Sequence, residues 1–313
     1  MSDTTPVLAA VDWGTSRFRL WLLARDGRAL AQSRGADGLD AGRARGFENV
    51  LRHHLDAVSA PEALPVLICG MAGSRQGWVE APYVEVPASL NALLDSVVPV
   101  PGLERDLRIV PGLAKRNHAA PDVMRGEETQ LIGTAPQEGS GPLQVCLPGT
   151  HSKWAALQGR RVEDFTTYLT GELYAVLGEH SILRHSLAGF DGKVDAEDPV
   201  FTAAARRALG APERILAELF SIRAAALLEG LPGAAAAARL SGLLIGAEVG
   251  VALQGKPAPV TLVASGALAE LYAAVLAEAG AEVTHIDAEQ AVCAGLMAIF
   301  LDREDGRLSK ESA

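Results

Sequence analysis

Two short stretches carry residue types that could hold phosphate. In the first, an apolar run from Val7 ends in Asp12, turns through Gly14-Thr15-Ser16 and returns as Phe18-Arg19-Leu20-Trp21-Leu22. Glycine admits close backbone approach, the hydroxyls donate hydrogen bonds, and a carboxylate just before the turn can hold a magnesium ion, usually through water. Alone, the stretch reads equally well as a tight hairpin with an incidental Asp. The second stretch, Leu143 to Trp154, repeats the pattern with Gly149-Thr150-His151-Ser152. Leu147 and Pro148 precede its glycine, so only the first copy offers a metal-side carboxylate at Asp12. Each hairpin is followed by a turn and a third strand, which suggests two related halves, each with a phosphate loop.

Two further stretches could act on a substrate. The strand Pro65 to Cys69 runs into Gly70-Met71-Ala72-Gly73-Ser74, with Gln76, Gly77 and Trp78 behind it. Glycine-rich turns at the carboxyl edge of an α/β sheet are common ligand sites, and polar side chains beside an indole suit a sugar. A surface loop with a buried Trp explains the same residues. In Met124 to Gly133, Gly126 is followed by Glu127 and Glu128 at the start of a helix. Acidic residues there complement the helix dipole, and one of them could also accept the proton of a substrate hydroxyl. Glu172, in Leu169-Thr170-Gly171-Glu172-Leu173, is a second helix-start acid that could meet sugar hydroxyls.

These residues must be positioned by alternating strands and helices. Helical spacing of Phe47, Val50, Leu51, His54, Leu55 and Val58 predicts a helix before Pro61, after a loop from Gly35 to Gly46. Residues 136–142, rich in Gly and Pro, read as a linker. Residues 197–253 read as a helical block, Thr261 to Ala264 as a buried strand entering Ser265-Gly266-Ala267, and Ala288 to Phe300 as the last helix, with a flexible tail over 303–313.

The chain has 313 residues, enough for two cores, and a formal net charge of -10 without a basic run, which argues against a nucleic-acid partner. Anionic ligands would need local positive charge, for which Arg17, Arg19, Arg75, Arg125 and Lys153 lie near the loops. Strand alternation leaves the direction of Arg19 open. Cys69, Cys146 and Cys293 sit far apart in apolar stretches, as small core residues of a reducing compartment. The start of the chain has no signal-peptide pattern, and the apolar region Ala234 to Leu253 is broken by Arg239 and Glu248, so no membrane span and a cytoplasmic location are expected.

Taken together, DWGTSRFRLW (12–21), GMAGSRQGW (70–78), VMRGEETQLIG (123–133), LPGTHSKW (147–154), LTGEL (169–173) and SGLLIGAEV (241–249) resemble the 2-dehydro-3-deoxygalactonokinase family of sugar-acid kinases over essentially the full length. The resemblance implies an α/β fold of the two-domain actin-like ATPase (ribonuclease H-like) kind, with duplicated mixed sheets flanked by helices and an interdomain cleft. It implies domains over 1–136, joined by helix 288–301, and over 137–287. It also implies ATP and Mg2+ as cofactors and phosphorylation of the 6-hydroxyl of 2-dehydro-3-deoxy-D-galactonate. Asp12 would then serve the metal, Gly14, Thr15, Ser16, Gly149, Thr150, His151 and Lys153 the phosphates, and Ser265, Gly266 and Ala267 the adenosine. Gly73, Ser74, Gln76, Trp78, Arg125 and Glu172 would meet the sugar acid. Related sugar kinases place an acidic base at a Gly-Asp pair, and here the matching place is Gly126-Glu127-Glu128. Glu127 is favoured over Glu128. A kinase for another keto-sugar acid or polyol, and a non-catalytic sugar sensor on the same fold, remain the alternatives. The sequence leaves the oligomeric state open, a homodimer included.

Overall fold

The computed structural model describes residues 5–135, 141–256 and 258–311. Contacts divide the chain into two compact units, one of residues 1–142, 157–165 and 288–313, the other of residues 143–156 and 166–287. The boundary expected at 136/137 thus falls after Pro142. The residues between, read as a linker, lie largely outside the described ones.

The first unit opens with the meander β1 (Leu8–Trp13), β2 (Phe18–Leu23) and β3 (Ala29–Gly35), followed by α1 (Leu39–Arg45) and α2 (Phe47–Ala57). Next come β4 (Val66–Gly70), β5 (Tyr83–Glu85), β6 (Ala88–Ser89), α3 (Leu90–Asp95), β7 (Val98–Pro99), β8 (Leu107–Ile109), β9 (Gly112–Lys115), β10 (Asp122–Met124) and α4 (Glu127–Thr134). The second unit holds β11 (Pro142–Leu147), β12 (Ser152–Gln158), β13 (Arg161–Tyr168), α5 (Thr170–His180), α6 (Pro199–Gly210), α7 (Ile215–Leu228), α8 (Gly233–Leu253), β14 (Val260–Val263), α9 (Ala267–Glu278) and β15 (Val283–Ile286). The chain then returns to the first unit as α10 (Ala288–Glu311).

Duplication is written in the strand orders. The first sheet runs β3-β2-β1-β4-β8-β7 and the other, read from its far edge, β6-β13-β12-β11-β14-β15. A meander and the next strand thus stand in the order 3-2-1-4 in both (β3-β2-β1-β4 and β13-β12-β11-β14), each with one more parallel strand beside the fourth. In the first sheet β1 pairs antiparallel with β2 and parallel with β4. In the other, β14 is parallel to both β11 and β15. This is the duplicated mixed sheet of the actin-like ATPase fold. Residues 157–165, the tip of the β12–β13 hairpin, group with the first unit because Arg161 and Val162 pair with Ser89 and Ala88 of β6.

Burial follows from strand composition. β1 and β4 are buried on both faces and read as continuous apolar runs, as strands covered on both sides must. Trp13, Phe18, Leu20, Ile68 and Leu107 build one core, and Cys146, Phe201, Val249, Leu262 and Tyr272 another. The three cysteines are buried thiols outside any disulfide. α8 is long and apolar enough to cross a membrane, yet 83% of its apolar window is buried inside the protein, because SGLLIGAEV lets α6 pack closely on it. A Cβ on Gly242 or Gly246 would sit 2.3 or 2.4 Å from backbone oxygens of Phe201 or Ala205.

Two expectations need correction. The loop expected over 35–46 contains α1, anchored by buried Leu39 and Gly42. The tail expected after Arg303 is helical through Glu311, because α10 is nucleated on its buried first turns and each further residue then adds a hydrogen bond. Residues 312 and 313 lie outside the described ones.

Candidate active site

Strand register builds the first half of the site. Arg34, Arg19, Asp12 and Cys69 are cross-strand neighbours on β3, β2, β1 and β4, so they form one row on one face. Arg19 Nη2 donates to Asp12 Oδ2 at 2.6 Å and Nη1 to Glu289 Oε1 at 3.4 Å, while Arg34 binds both Glu289 oxygens at 2.7 Å. Register, not alternation alone, therefore turns Arg19 toward Asp12. Burial raises the Asp12 carboxyl above its ordinary range against the pull of Arg19, and Glu127 and Glu289 add to the rise. Asp12 sits in an acidic neighbourhood with one strong positive partner.

The Gly14-Thr15-Ser16 turn is closed by the Gly14 N–H on the Arg17 carbonyl at 2.8 Å. The Leu39 N–H at the start of α1 donates to the carbonyls of Gly14 and Thr15. A Cβ on Gly38 would stand 2.1 Å from the Thr15 oxygen, so only glycine lets α1 reach the loop. Asp37, just before it, is held by Arg45 at 2.5 Å and by His54 Nε2 at 3.1 Å. Sequence reading missed this brace; the one available signal was Gly38 before the Leu39-Asp40 helix start. Thr15 and Ser16 remain exposed.

Gly70, at the end of β4, brings the acids together. Its φ of 89° is a glycine conformation, and a Cβ there would lie 2.6 Å from the Trp13 carbonyl and 3.5 Å from Asp12 Oδ1. Gly126 has a φ of 107°, and a Cβ on it would lie 3.6 Å from the Gly70 Cα. The two glutamates behind it differ sharply. Glu128 is fully buried, accepts the Gly126 N–H at 2.6 Å and the Thr129 hydroxyl at 3.1 Å, and burial, reinforced by Glu127, pushes its carboxyl up to about 8. Glu127 is half-buried, accepts the Arg125 N–H at 3.1 Å and lies close enough to raise the Asp12 carboxyl.

Of the residues expected to meet a sugar acid, Arg125 and the Gly73-Ser74 turn come together. A Cβ on Gly73 would meet Arg125 Nη1 at 2.8 Å. The guanidinium lies over the Tyr83 ring and Nη2 donates to the Ala81 carbonyl at 2.8 Å. Arg125 Nε and Nη1 and the Ser74 hydroxyl are buried without a hydrogen-bond partner, an arrangement that ordinary folding avoids. Gln76 is exposed. Trp78 stacks on Phe47 at 5.9 Å and edges against Trp13, so its ring belongs to the aromatic core and offers no free platform there.

In the second unit, the loop from Gly149 is locked to α5. The Glu172 N–H donates to the Thr150 carbonyl, and a Cβ on Gly171 would fall 2.4 Å from the Gly149 oxygen. Glu172 pairs with His151, and Lys153 is buried with its ammonium on the His151 carbonyl at 3.0 Å. Beneath them Glu248 of α8 accepts from Trp154 Nε1 at 2.8 Å, Tyr272 OH at 2.7 Å and the Thr170 hydroxyl, with Ser152 on Tyr272 at 2.8 Å. One carboxylate thereby ties β12, α5, α8 and α9 together. Glu248→Ala would leave three buried donors without an acceptor, and a cost on the order of 3 kcal/mol is expected. A melting temperature within a degree of wild type would contradict that.

The Ser265-Gly266-Ala267 turn opens α9, with Gly266 at φ 62° and the Ser265 hydroxyl donating to Asp287 at 2.7 Å. Next to it a cavity of about 220 Å³ is lined by Gly149, Gly171, Lys193, Leu244, Ala267 and Tyr272, among others. Whole-ligand sites commonly exceed about 300 Å³, so this one suits part of a ligand, such as a purine ring.

With this geometry in place, the chain can be set beside known proteins. The model of the family described as 2-keto-3-deoxy-galactonokinase matches residues 12–299. A probable 2-dehydro-3-deoxygalactonokinase of Rhizobium meliloti (strain 1021) is 49% identical over 297 residues, covering 94% of this chain and 97% of the relative. The 2-dehydro-3-deoxygalactonokinase of Escherichia coli (strain K12) is 36% identical over 295 residues, 93% of this chain and 96% of that one. A crystal structure from Sinorhizobium meliloti, given as a candidate 2-dehydro-3-deoxygalactonokinase, superposes with TM-score 0.89 at 49% identity over 93% of this chain and 97% of that chain.

Proposed function

The chain belongs to the 2-keto-3-deoxy-galactonokinase family, and from that membership we propose that it transfers the γ-phosphoryl group of ATP to the 6-hydroxyl of 2-dehydro-3-deoxy-D-galactonate in galactonate breakdown. The hydroxyl oxygen forms the new bond to phosphorus, the bond between the γ-phosphorus and the β,γ-bridging oxygen breaks, and ADP leaves. The hydroxyl proton goes to Glu127.

The observation that carries this assignment is the contrast between the two glutamates. Glu128 is sealed in the protein and spent on its own turn, whereas Glu127 is half-buried beside Asp12. A base must reach the hydroxyl it deprotonates, so accessibility selects Glu127. Exposed Thr15 and Ser16 are the phosphate donors of the first unit, and Gly149 and Thr150 those of the second. Lys153 shapes the second loop through the His151 carbonyl, with Glu172 steadying His151. The cavity beside Ala267 takes the adenine. The unmet donors of Arg125 and Ser74 suit the substrate carboxylate, since a guanidinium offers a carboxylate two parallel hydrogen bonds.

The residues present fit a magnesium ion. Mg2+ keeps several waters and takes one or two carboxylates besides nucleotide oxygens, and Asp12 supplies one. When bound, the ion would screen charge on the phosphate oxygens. ATP as donor accords with a cytoplasmic location, which belongs to the same proposal.

Purified protein with ATP, Mg2+ and 2-dehydro-3-deoxy-D-galactonate is expected to form ADP in a coupled assay, faster than with a panel of other keto-sugar acids and polyols. No ADP with any of them would leave the sensor alternative standing. Faster turnover of another acid would redirect the substrate.

A further inference from the structure

Helix α7 is apolar on every side, which suits a helix covered all round. Its inner face is covered, since Ile222 packs in a core cluster with Leu183, Leu240 and Leu243. Its outer face is bare, with Leu216 82%, Phe220 63%, Leu227 64% and Leu228 83% exposed.

The spacing on that face says what covers it. At 100° per residue, Leu216, Phe220, Arg223 and Leu227 form a single stripe with steps of four, three and four, the spacing of a coiled-coil seam. The stripe is also its own complement when reversed. In an antiparallel pair of α7 helices, Leu216 of one copy falls opposite Leu227 of the other, and Phe220 opposite Arg223. The first pairing buries leucine on leucine, and the second sets a guanidinium against an aromatic ring. Ala217 and Ala224 on one flank and Ala226 on the other allow close approach, and antiparallel helices set their dipoles head to tail. No exposed acid interrupts the middle of the helix, because Glu218 is buried on Arg207.

Area points the same way. The four exposed side chains offer on the order of 500 Å² of apolar surface, as large as the biggest patches of ordinary monomers. Ile182, 52% exposed on the short turn whose Leu183 shares the α7 core, extends it toward the roughly 800 Å² per partner of a stable interface. We propose that the outer face of α7 is the twofold interface of a homodimer, with the Leu216–Leu227 and Phe220–Arg223 pairings each made twice. An isologous contact of this kind closes on itself and does not propagate into filaments.

The full-length protein is expected to sediment as a dimer at micromolar concentration. Phe220→Glu is expected to weaken association at least about a hundredfold while leaving the far-UV circular dichroism of the folded protomer unchanged, since Phe220 is 63% exposed and contributes little to the core of its own protomer. Its melting temperature should lose only the part that rises with wild-type concentration. The register has its own test. The double variant Leu216→Cys/Leu227→Cys should be joined into a covalent dimer by a short bis-maleimide. Either single variant should not, because identical positions would lie roughly 16 Å apart along the paired axes. A wild-type monomer at high micromolar concentration would overturn the proposal and leave the face to some other partner. A dimer untouched by Phe220→Glu, or single variants that cross-link as well as the double, would overturn it equally.

Discussion

Glu127→Gln is expected to lower kcat about a thousandfold while the KM for ATP stays near its wild-type value. The size follows from the 10²–10⁴-fold contribution of a positioned general base. The constancy of KM follows because Glu127, which holds the Arg125 backbone N–H and lies beside Asp12, would meet the sugar hydroxyl and not the nucleotide in the proposed reaction. The partner experiment carries the contrast. Glu128→Gln keeps the shape and the acceptor oxygen that holds the Gly126 N–H, so kcat is expected to stay within about tenfold. Its effect should be visible in stability against pH. Glu128 has a folded value of about 8 against an ordinary 4.5, so the folded protein holds this proton where the unfolded chain has released it. Stability from this group is therefore full below pH 4.5 and declines as pH rises toward 8. Glu128→Gln removes that decline, and its stability curve should be flatter and higher than wild type near pH 8. If Glu128→Gln abolished turnover while Glu127→Gln kept it, the base would be the neighbouring residue and the accessibility argument would be wrong.

The second large effect is on stability. α4, which carries both glutamates, crosses α10 at two glycines. A Cβ on Gly133 would lie 2.0 Å from the Ala291 carbonyl oxygen and 2.7 Å from the Gly295 nitrogen. A Cβ on Gly295 would lie 2.0 Å from the Thr129 carbonyl oxygen. Backbone meets backbone at both points, so no change of rotamer relieves the clash and one helix must shift. Gly295→Ala is expected to cost about 3 kcal/mol or more, at the upper end of overpacking penalties. It should also lower kcat, because the displaced element bears Glu127. The double variant with Gly133→Ala should cost less than the sum, since once the helices part the second methyl finds room. A melting temperature within a degree of wild type for Gly295→Ala would show that the crossing yields to a methyl group.

What the sequence made legible was repetition and punctuation. The two Gly-Thr hairpins, the strand into Gly70, the helix start at Glu127 and the turn at Gly266 are all marked by glycine beside an apolar run, and each is where the sequence places it. Register was out of reach. Nothing local says that Asp12 faces Arg19, that Arg19 faces Arg34 and that Glu289, from the far end of the chain, joins them. The same gap explains Trp78, whose neighbours in sequence suit a sugar but whose neighbours in space are Phe47 and Trp13. It explains α1 too, since Gly38 looks like loop composition until the Thr15 carbonyl arrives beside it. Glu127 and Glu128 are equivalent acids in the sequence, and only the burial of one separates them.

The return of α10 to the first unit bears on how the protein is made. A ribosome delivers α4 early, with Thr129 and Gly133 facing nothing, and then delivers the segments of the second unit before α10 emerges. The second unit can therefore consolidate on the nascent chain while the first still lacks one wall, and closing that long loop is a late event. Until Gly295 docks on Thr129, the helix that presents Glu127 has no backing. On the proposed role of Glu127, synthesis order thus withholds turnover from incomplete chains.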